Sequence, residues 1–295
     1  MPSAPSEKMP GTSPSKPSSP VSILDIRPLT SDIGAEIFGV DLREELDNPT
    51  VTAIRQALLD HLVVFFRDQH ITPDQHLAFA QRFGTINVAP FGPKLETHPA
   101  ITVLDQVAPV GGLAARWHSD NTYMPNPPLG SVLRAVEMPD VGGDTCFANM
   151  YKAYEELSEP MRALVDGLEA AHDLTYTLTR AIDEGLAREH LDAMQAQYPE
   201  LIRPVVRVHP ETGRRALFVN SNFTTHLVGV TDAESDVLLA FLLNHVRSPE
   251  FQCRFRWAAD SIAFWDNRAV QHFAVPDYTE RRLMHRVTVE EWDQS

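Results

Sequence analysis

Residues 116–123, RWHSDNTY, set His118 and Asp120 two apart, an imidazole and a carboxylate that can close on one metal ion. The spacing alone is not selective. With 12 histidines in 295 residues, about one His-x-Asp pair arises by chance, and EHLD supplies a second one, His190 and Asp192. Geometry separates the two. Residues i and i+2 of an extended strand point to the same side, so His118 and Asp120 converge if their stretch is β-like. His190 and Asp192 lie in EGLAREHLDAMQAQ, which reads as helix, where i and i+2 diverge, and they are expected at the surface. His209 and Glu211 sit in HPETG, whose Pro and Gly predict an exposed turn.

A third ligand must come from elsewhere in the fold. His272 in FWDNRAVQHFAV occupies a strand-like run among apolar neighbours, close before a cationic segment. Two histidines and one carboxylate, with no thiolate, leave open positions on an octahedral ion, the facial triad of non-heme Fe(II) oxygenases. A zinc hydrolase on the same three ligands is the alternative, and a non-catalytic barrel that only binds ligands is a third. The cationic segment separates them. In TERRLMHRV, residues 279–287, Arg282, Met284 and Arg286 alternate onto one face of a strand. Two guanidiniums on an inner face are costly unless anions neutralise them. An oxygenase of this type draws two electrons from 2-oxoglutarate, whose distal carboxylate is one such anion, and an acidic substrate is the other. Arginine suits both through parallel charge-assisted hydrogen bonds.

The rest of the chain must position these groups. A formal net charge of −15 argues against nucleic acid as a partner and confines anion binding to local cations. No apolar run is long enough for a membrane span or a secretory signal, so a cytoplasmic protein is expected. Cys146 and Cys253 belong to no CxxC pair and are read as reduced. Residues 1–20 hold six Pro and six Ser and are expected to form a disordered tail before one domain, 21–295. In that domain NPTVTAIRQALLDH and TPDQHLAFAQRFG read as helices, the second with Thr72 as N-cap and Gly84 just past its end. LVVFFRD, LGSVLRAVEM and DTCFANM read as strands, and RPVVRVHPETGRRALFVN as a hairpin. A long helical region precedes that hairpin near 175–197, and after it TDAESDVLLAFLLNHV opens with Thr231 and Glu234 at capping-box spacing. Four strands close the chain. The expected fold is α+β, a barrel or sandwich of short strands with helices packed outside.

Several blocks together resemble the taurine and 2,4-dichlorophenoxyacetate dioxygenase family, TauD/TfdA, most closely its taurine branch. They are GAEIFGVDL, VVFFRDQHITPDQHLAFAQRFG, WHSDNTY, GGDTCFANM, HPETGRRALFVNSNFTT and WDNRAVQHFAVPDYTERRLMHRVT, and they span nearly everything after residue 22. The resemblance implies a double-stranded β-helix (jelly-roll, cupin-like) core with Fe(II) held by His118, Asp120 and His272, and O2 and 2-oxoglutarate as cosubstrates. It implies that Thr145 and Arg282 hold the distal carboxylate of 2-oxoglutarate and that Arg286 holds the substrate's anionic head. Asn121, beside the carboxylate ligand, joins the substrate-facing residues. Taurine-cleaving members contact taurine through a His and a Tyr after QRFG, where this chain has Ala89 and Gly92. The substrate expected is a small organic anion of taurine type, with sulfite and an aldehyde released. Alkyl sulfates and aryloxyalkanoates are the alternatives, and a homo-oligomer, dimer or tetramer, is expected.

Overall fold

The computed structural model describes residues 24–89, 92–109, 113–183 and 188–290. The Ser- and Pro-rich tail lies outside them. In chain order the elements are β1 (Asp25–Pro28), β2 (Ala35–Phe38), α1 (Asn48–His61), β3 (Val63–Phe66), α2 (Pro73–Gln81), β4 (Ile86–Asn87), β5 (Lys94–Leu95) and β6 (His98–Val107). Next come β7 (Gly130–Glu137), β8 (Thr145–Asn149), α3 (Met150–Glu155), α4 (Glu159–Val165), β9 (Glu169–His172), α5 (Thr175–Asp183) and α6 (Arg188–Gln197). The chain continues with β10 (Leu201–Pro204), β11 (Val206–Val208), β12 (Arg215–Leu217), β13 (Thr224–Val228), α7 (Asp232–His245), β14 (Gln252–Phe255), β15 (Ile262–Asp266), β16 (Val270–Ala274) and β17 (Arg281–Val289).

Local chemistry accounts for the helices. Asp47 caps α1 by accepting the Thr50 amide at 2.8 Å, and Ile54, Ala57 and Leu58 bury one stripe of it. Thr72 caps α2 in a full capping box with Gln75, and Thr231 and Glu234 do the same for α7, both as the spacing predicts. The region expected to be helical near 175–197 carries α5 and α6, and residues 184–187 lie outside the described residues.

Among the described residues the strands form four sheets, two of them small, β10-β9-β13 and β11-β12, and the other two facing each other across the core. The larger runs β1-β2-β3-β15-β7-β17-β6-β5, with β4 also on β17, and the smaller runs β14-β8-β16. Pairing is antiparallel in both, except between β2 and β3. The architecture is α+β, a double-stranded β-helix with flanking helices. Phe65, Phe147, Trp265 and Met284 fill the space between the sheets. Ile54, Leu58, Phe79, Phe264 and Val287 form a second core under α1 and α2. Each such side chain, fully buried, contributes about 1.5–3 kcal/mol. β17 therefore separates two cores, with Met284 facing one and Val287 the other. Its alternation turns Arg282 and Arg286 to the same side as Met284 while Arg281 pairs outward with Asp105 and Glu137.

In the HPETG turn, expected to be exposed, His209 alone departs from the expectation. His209 is buried, with Nε2 3.1 Å from Asp266 Oδ2, and Glu211 pairs with Arg268 and Arg55. Pro210, Glu211 and Gly213 remain exposed, so the turn faces water while His209 anchors it to the buried Asp266. Cys146 and Cys253 are both free, as expected. Among the described residues no helix is long and apolar enough to cross a membrane.

Candidate metal and anion site

The sheets bring the sequence-predicted ligands together. His118 and His272 pair across an isolated antiparallel bridge, His118 N–H donating to the His272 carbonyl at 3.1 Å and His272 N–H to the His118 carbonyl at 2.8 Å. Their rings lie 4.2 Å apart, and Asp120 Oδ1 stands 3.7 Å from His118 Nε2 and 3.8 Å from His272 Nε2. One ligand atom from each of the three lies within 4.8 Å of the others. His190 and Asp192 fall in α6, and their side chains lie outside the described residues.

The donor set fits a metal ion. His118 Nδ1 lies 2.7 Å from the Arg116 carbonyl, so it carries the proton and leaves the Nε2 lone pair facing Asp120. Burial pushes the His118 imidazole down, and burial together with His118 pushes His272 down to about 3, so both are neutral. Burial works to raise the Asp120 carboxyl, but the Arg286 guanidinium and the two imidazoles outweigh it and hold it at about 2. Ser131 donates to Asp120 Oδ2 at 3.1 Å and Arg286 NH1 to Oδ1 at 3.1 Å. The triad thus offers two imidazole lone pairs and an ionised carboxylate oxygen.

A cavity of about 710 Å3 opens over these ligands. Thr145, His272 and Ala274 line it from the smaller sheet, and Leu104, Leu133, Trp265, Arg282 and Arg286 from the larger. Asn121, Thr177, Asn222 and Phe223 contribute from outside the two sheets. At one end Arg282 is only 5% exposed, and burial works against its charge. Its hydrogen bonds go to the Gly143 carbonyl at 3.0 Å and Thr145 Oγ1 at 3.4 Å, not to a carboxylate. Gly142 and Gly143 take φ of +85° and +72°, and a Cβ on Gly143 would come within 3.1 Å of Arg282 Cδ, so the turn needs glycine to let the guanidinium past. Thr145 Oγ1 also accepts from Trp257 Nε1 at 3.0 Å. With two donors on that oxygen, the hydroxyl proton is left to point at something else. A cation and a donor converge where no carboxylate of the described residues bonds to either, an arrangement that suits an anion.

Of the other sequence-predicted residues, Asn121 lines the cavity in a left-handed conformation at φ +53°. Ala89 is buried and Gly92 exposed, and neither is among the residues lining the cavity. A Cβ on Gly92 would come within 3.8 Å of Thr102, the β6 residue paired with Arg286. Sequence reasoning missed Ser131 and Trp257, whose small or apolar-run contexts give no signal of polar work.

The pattern over residues 25–288 matches the family model described as Taurine catabolism dioxygenase TauD, TfdA family. The chain belongs to the TauD/TfdA family. It is 41% identical over 271 residues to an alpha-ketoglutarate-dependent sulfate ester dioxygenase of Pseudomonas putida, covering 90% of this chain and 89% of that one. It is 37% identical over 276 residues to an alkylsulfatase of Acinetobacter baylyi, covering 92% and 86%. The crystal structure of a putative alpha-ketoglutarate-dependent taurine dioxygenase from Burkholderia xenovorans superposes with a TM-score of 0.79 at 40% identity, over 91% of this chain and 93% of that chain. As a TauD/TfdA member the chain is a 2-oxoglutarate-dependent dioxygenase with a metal centre, and the zinc hydrolase and binding-module alternatives fall away.

Proposed function

We propose that this dioxygenase uses Fe(II) on His118, Asp120 and His272 to oxidise the carbon beside the sulfur-oxyanion head of a small alkyl sulfonate or sulfate ester. The observation that carries the reading is a single cavity with the triad and two guanidiniums, one of them buried without a carboxylate. Arg282 and the Thr145 hydroxyl take the distal carboxylate of 2-oxoglutarate, since they form the closed, pre-shaped anion site. Arg286, less buried and hydrogen-bonded to the ligand carboxylate, takes the substrate head. Iron bound there supplies the oxidation: O2 takes two electrons from decarboxylation of 2-oxoglutarate to succinate and CO2 and two from the substrate C–H bond, one oxygen atom entering each product. The chain's own share is placement and charge.

Leu104, Leu133, Trp265 and Phe223 give the cavity an apolar wall for the substrate's tail. Once the carbon beside a sulfonate carries a hydroxyl, its proton leaves, the C–S bond breaks, and sulfite and an aldehyde result. In a sulfate ester the hydroxylated carbon instead loses its C–O bond to the sulfate, and sulfate and an aldehyde result. The sulfate ester dioxygenase and alkylsulfatase relatives support the sulfur-oxyanion head. Aryloxyalkanoates are the second reading, favoured by a 35% identical (S)-phenoxypropionate/alpha-ketoglutarate-dioxygenase of Sphingobium herbicidovorans. The cavity's apolar wall offers nothing to taurine's ammonium, so taurine should be a weaker substrate than an apolar-tailed anion. The test measures succinate, sulfite, sulfate and phenol from taurine, pentanesulfonate, hexyl sulfate and 2,4-dichlorophenoxyacetate with Fe(II) and ascorbate. Sulfite or sulfate matched to succinate is expected. The highest kcat/KM for taurine would refute the tail argument, and phenol as the fastest product would refute the sulfur head.

A further inference from the structure

Asp120 is the one metal ligand whose backbone no strand partner fixes. His118 has its bridge to His272, and Ser119 Oγ donates to the Val270 carbonyl at 2.7 Å. Past Asp120 the chain turns at once through Asn121. The groups that hold the Asp120 peptide belong to a side chain: its N–H donates to Asn267 Oδ1 at 2.6 Å, and Asn267 Nδ2 donates back to its carbonyl at 2.9 Å. Asn267 Nδ2 also reaches the Pro128 carbonyl at 3.3 Å, and its backbone N–H donates to Leu129 at 2.8 Å. Asn267 is buried and sits in the turn that carries the chain from β15 in the larger sheet to β16 in the smaller, the strand of His272.

That turn stands on buried ions. Arg268 donates to Asp266 through Nε at 2.9 Å and NH2 at 2.6 Å, His209 Nε2 lies 3.1 Å from Asp266, and Arg268 NH1 pairs with Glu211 at 2.7 Å. Burial opposes ionisation of Asp266, and Arg268 and His209 outweigh it. Such a network is rigid when fully satisfied.

We infer that Asn267 is a positioning residue for the metal centre, clamping the Asp120 peptide so that one turn registers the carboxylate ligand against His272. The inference rests on the metal reading of the triad. Groups that orient a ligand typically change metal affinity by about 10–100-fold when removed. A purely structural amide should not. Gln69 supplies the comparison, because its side chain also grips backbone groups, accepting from Leu42 N–H at 2.8 Å and donating to the Arg67 carbonyl at 2.9 Å, with no contact to the triad.

The test titrates Co(II) into metal-free wild type, Asn267→Ala, Asn267→Asp and Gln69→Ala by visible absorption, with melting temperatures alongside. Asn267→Asp keeps the acceptor for the Asp120 N–H and loses the donor to its carbonyl. Expected is a Co(II) Kd raised about 10–100-fold in Asn267→Ala, a smaller rise in Asn267→Asp, and an unchanged Kd in Gln69→Ala despite a lower melting temperature. Folded Asn267 variants that bind Co(II) within about twofold of wild type overturn the inference. Failure of both to fold also overturns it, making Asn267 a folding residue. Wild type that binds no Co(II) would instead overturn the triad reading itself.

Discussion

Arg282 and Arg286 stand four residues apart on one strand and line one cavity, yet their surroundings differ. Arg282 is buried, braced on the Gly143 carbonyl and Thr145, with a glycine turn folded around it. Arg286 has a side chain 20% exposed and bonds to Asp120, which also faces both histidines. The first end is shaped before any anion arrives, at the cost of a buried charge that no carboxylate of the described residues bonds to. The second is neutral in its resting pairing and must give up part of it to a ligand. A site that takes the same cosubstrate every turnover benefits from the first arrangement, and one that admits varied substrates from the second.

The largest effect should come from what both ends share. His118→Ala is expected to abolish metal-dependent succinate formation with every anion tested, whereas Arg variants retain some. Residual turnover equal to an Arg variant's would show that the ends, not the triad, organise catalysis. Arg282→Gln comes next: the apparent KM for 2-oxoglutarate should rise by roughly one to three orders of magnitude, for about 2–4 kcal/mol lost from a buried charge-assisted contact. Arg286→Gln should leave that KM near wild type and raise the KM of the organic anion by roughly 10–150-fold, from about 1.5–3 kcal/mol. Equal effects of both variants on 2-oxoglutarate would erase the distinction between the ends.

The smallest effect on turnover at neutral pH, namely none, belongs to acid stability. Burial holds His76, His172 and His272 at about 3, against an unfolded value near 6.5. Between those values the unfolded chain binds more protons, so stability is full above about pH 7 and falls as pH drops through 6.5 toward 3. Each histidine should remove about 1.4 kcal/mol by pH 5.5 in the metal-free protein. Urea midpoints from pH 8 to 5 test this, and a flat profile would mean that these imidazoles are protonated in the fold.

Much of the site was legible because its chemistry is written in short periods. The i, i+2 spacing of His118 and Asp120 and the alternation of Arg282, Met284 and Arg286 survive folding into strands, where period two decides which way a side chain points. What was hidden depends on partners distant in sequence. β6 carries Pro99 and a mixture of polar residues that suggest no strand, yet it pairs with β17 and lines the cavity through Leu104. β9, with two alanines in four residues, owes its form to β10 and β13 on either side. His209 looked like turn chemistry because its partner Asp266 is 57 residues away. Ser131 and Asn267 act through hydrogen bonds to groups elsewhere in the chain, Asp120 lying 147 residues before Asn267, and such contacts leave no pattern in the sequence.

β17 also works as a ruler. At about 3.3 Å per residue, its two inward arginines are spaced roughly 13 Å apart along the strand, a distance that no change of substrate alters. On the proposed role of Arg286, an acidic head seated there would be registered from a fixed mark, and the atom presented to the metal would be counted from the head, not from the far end of the molecule. Lengthening or branching the tail should change how tightly a compound sits while leaving the oxidised carbon the same. If that proposal holds, regiochemistry would be a property of one strand's pitch, and substrate range a property of the walls around it.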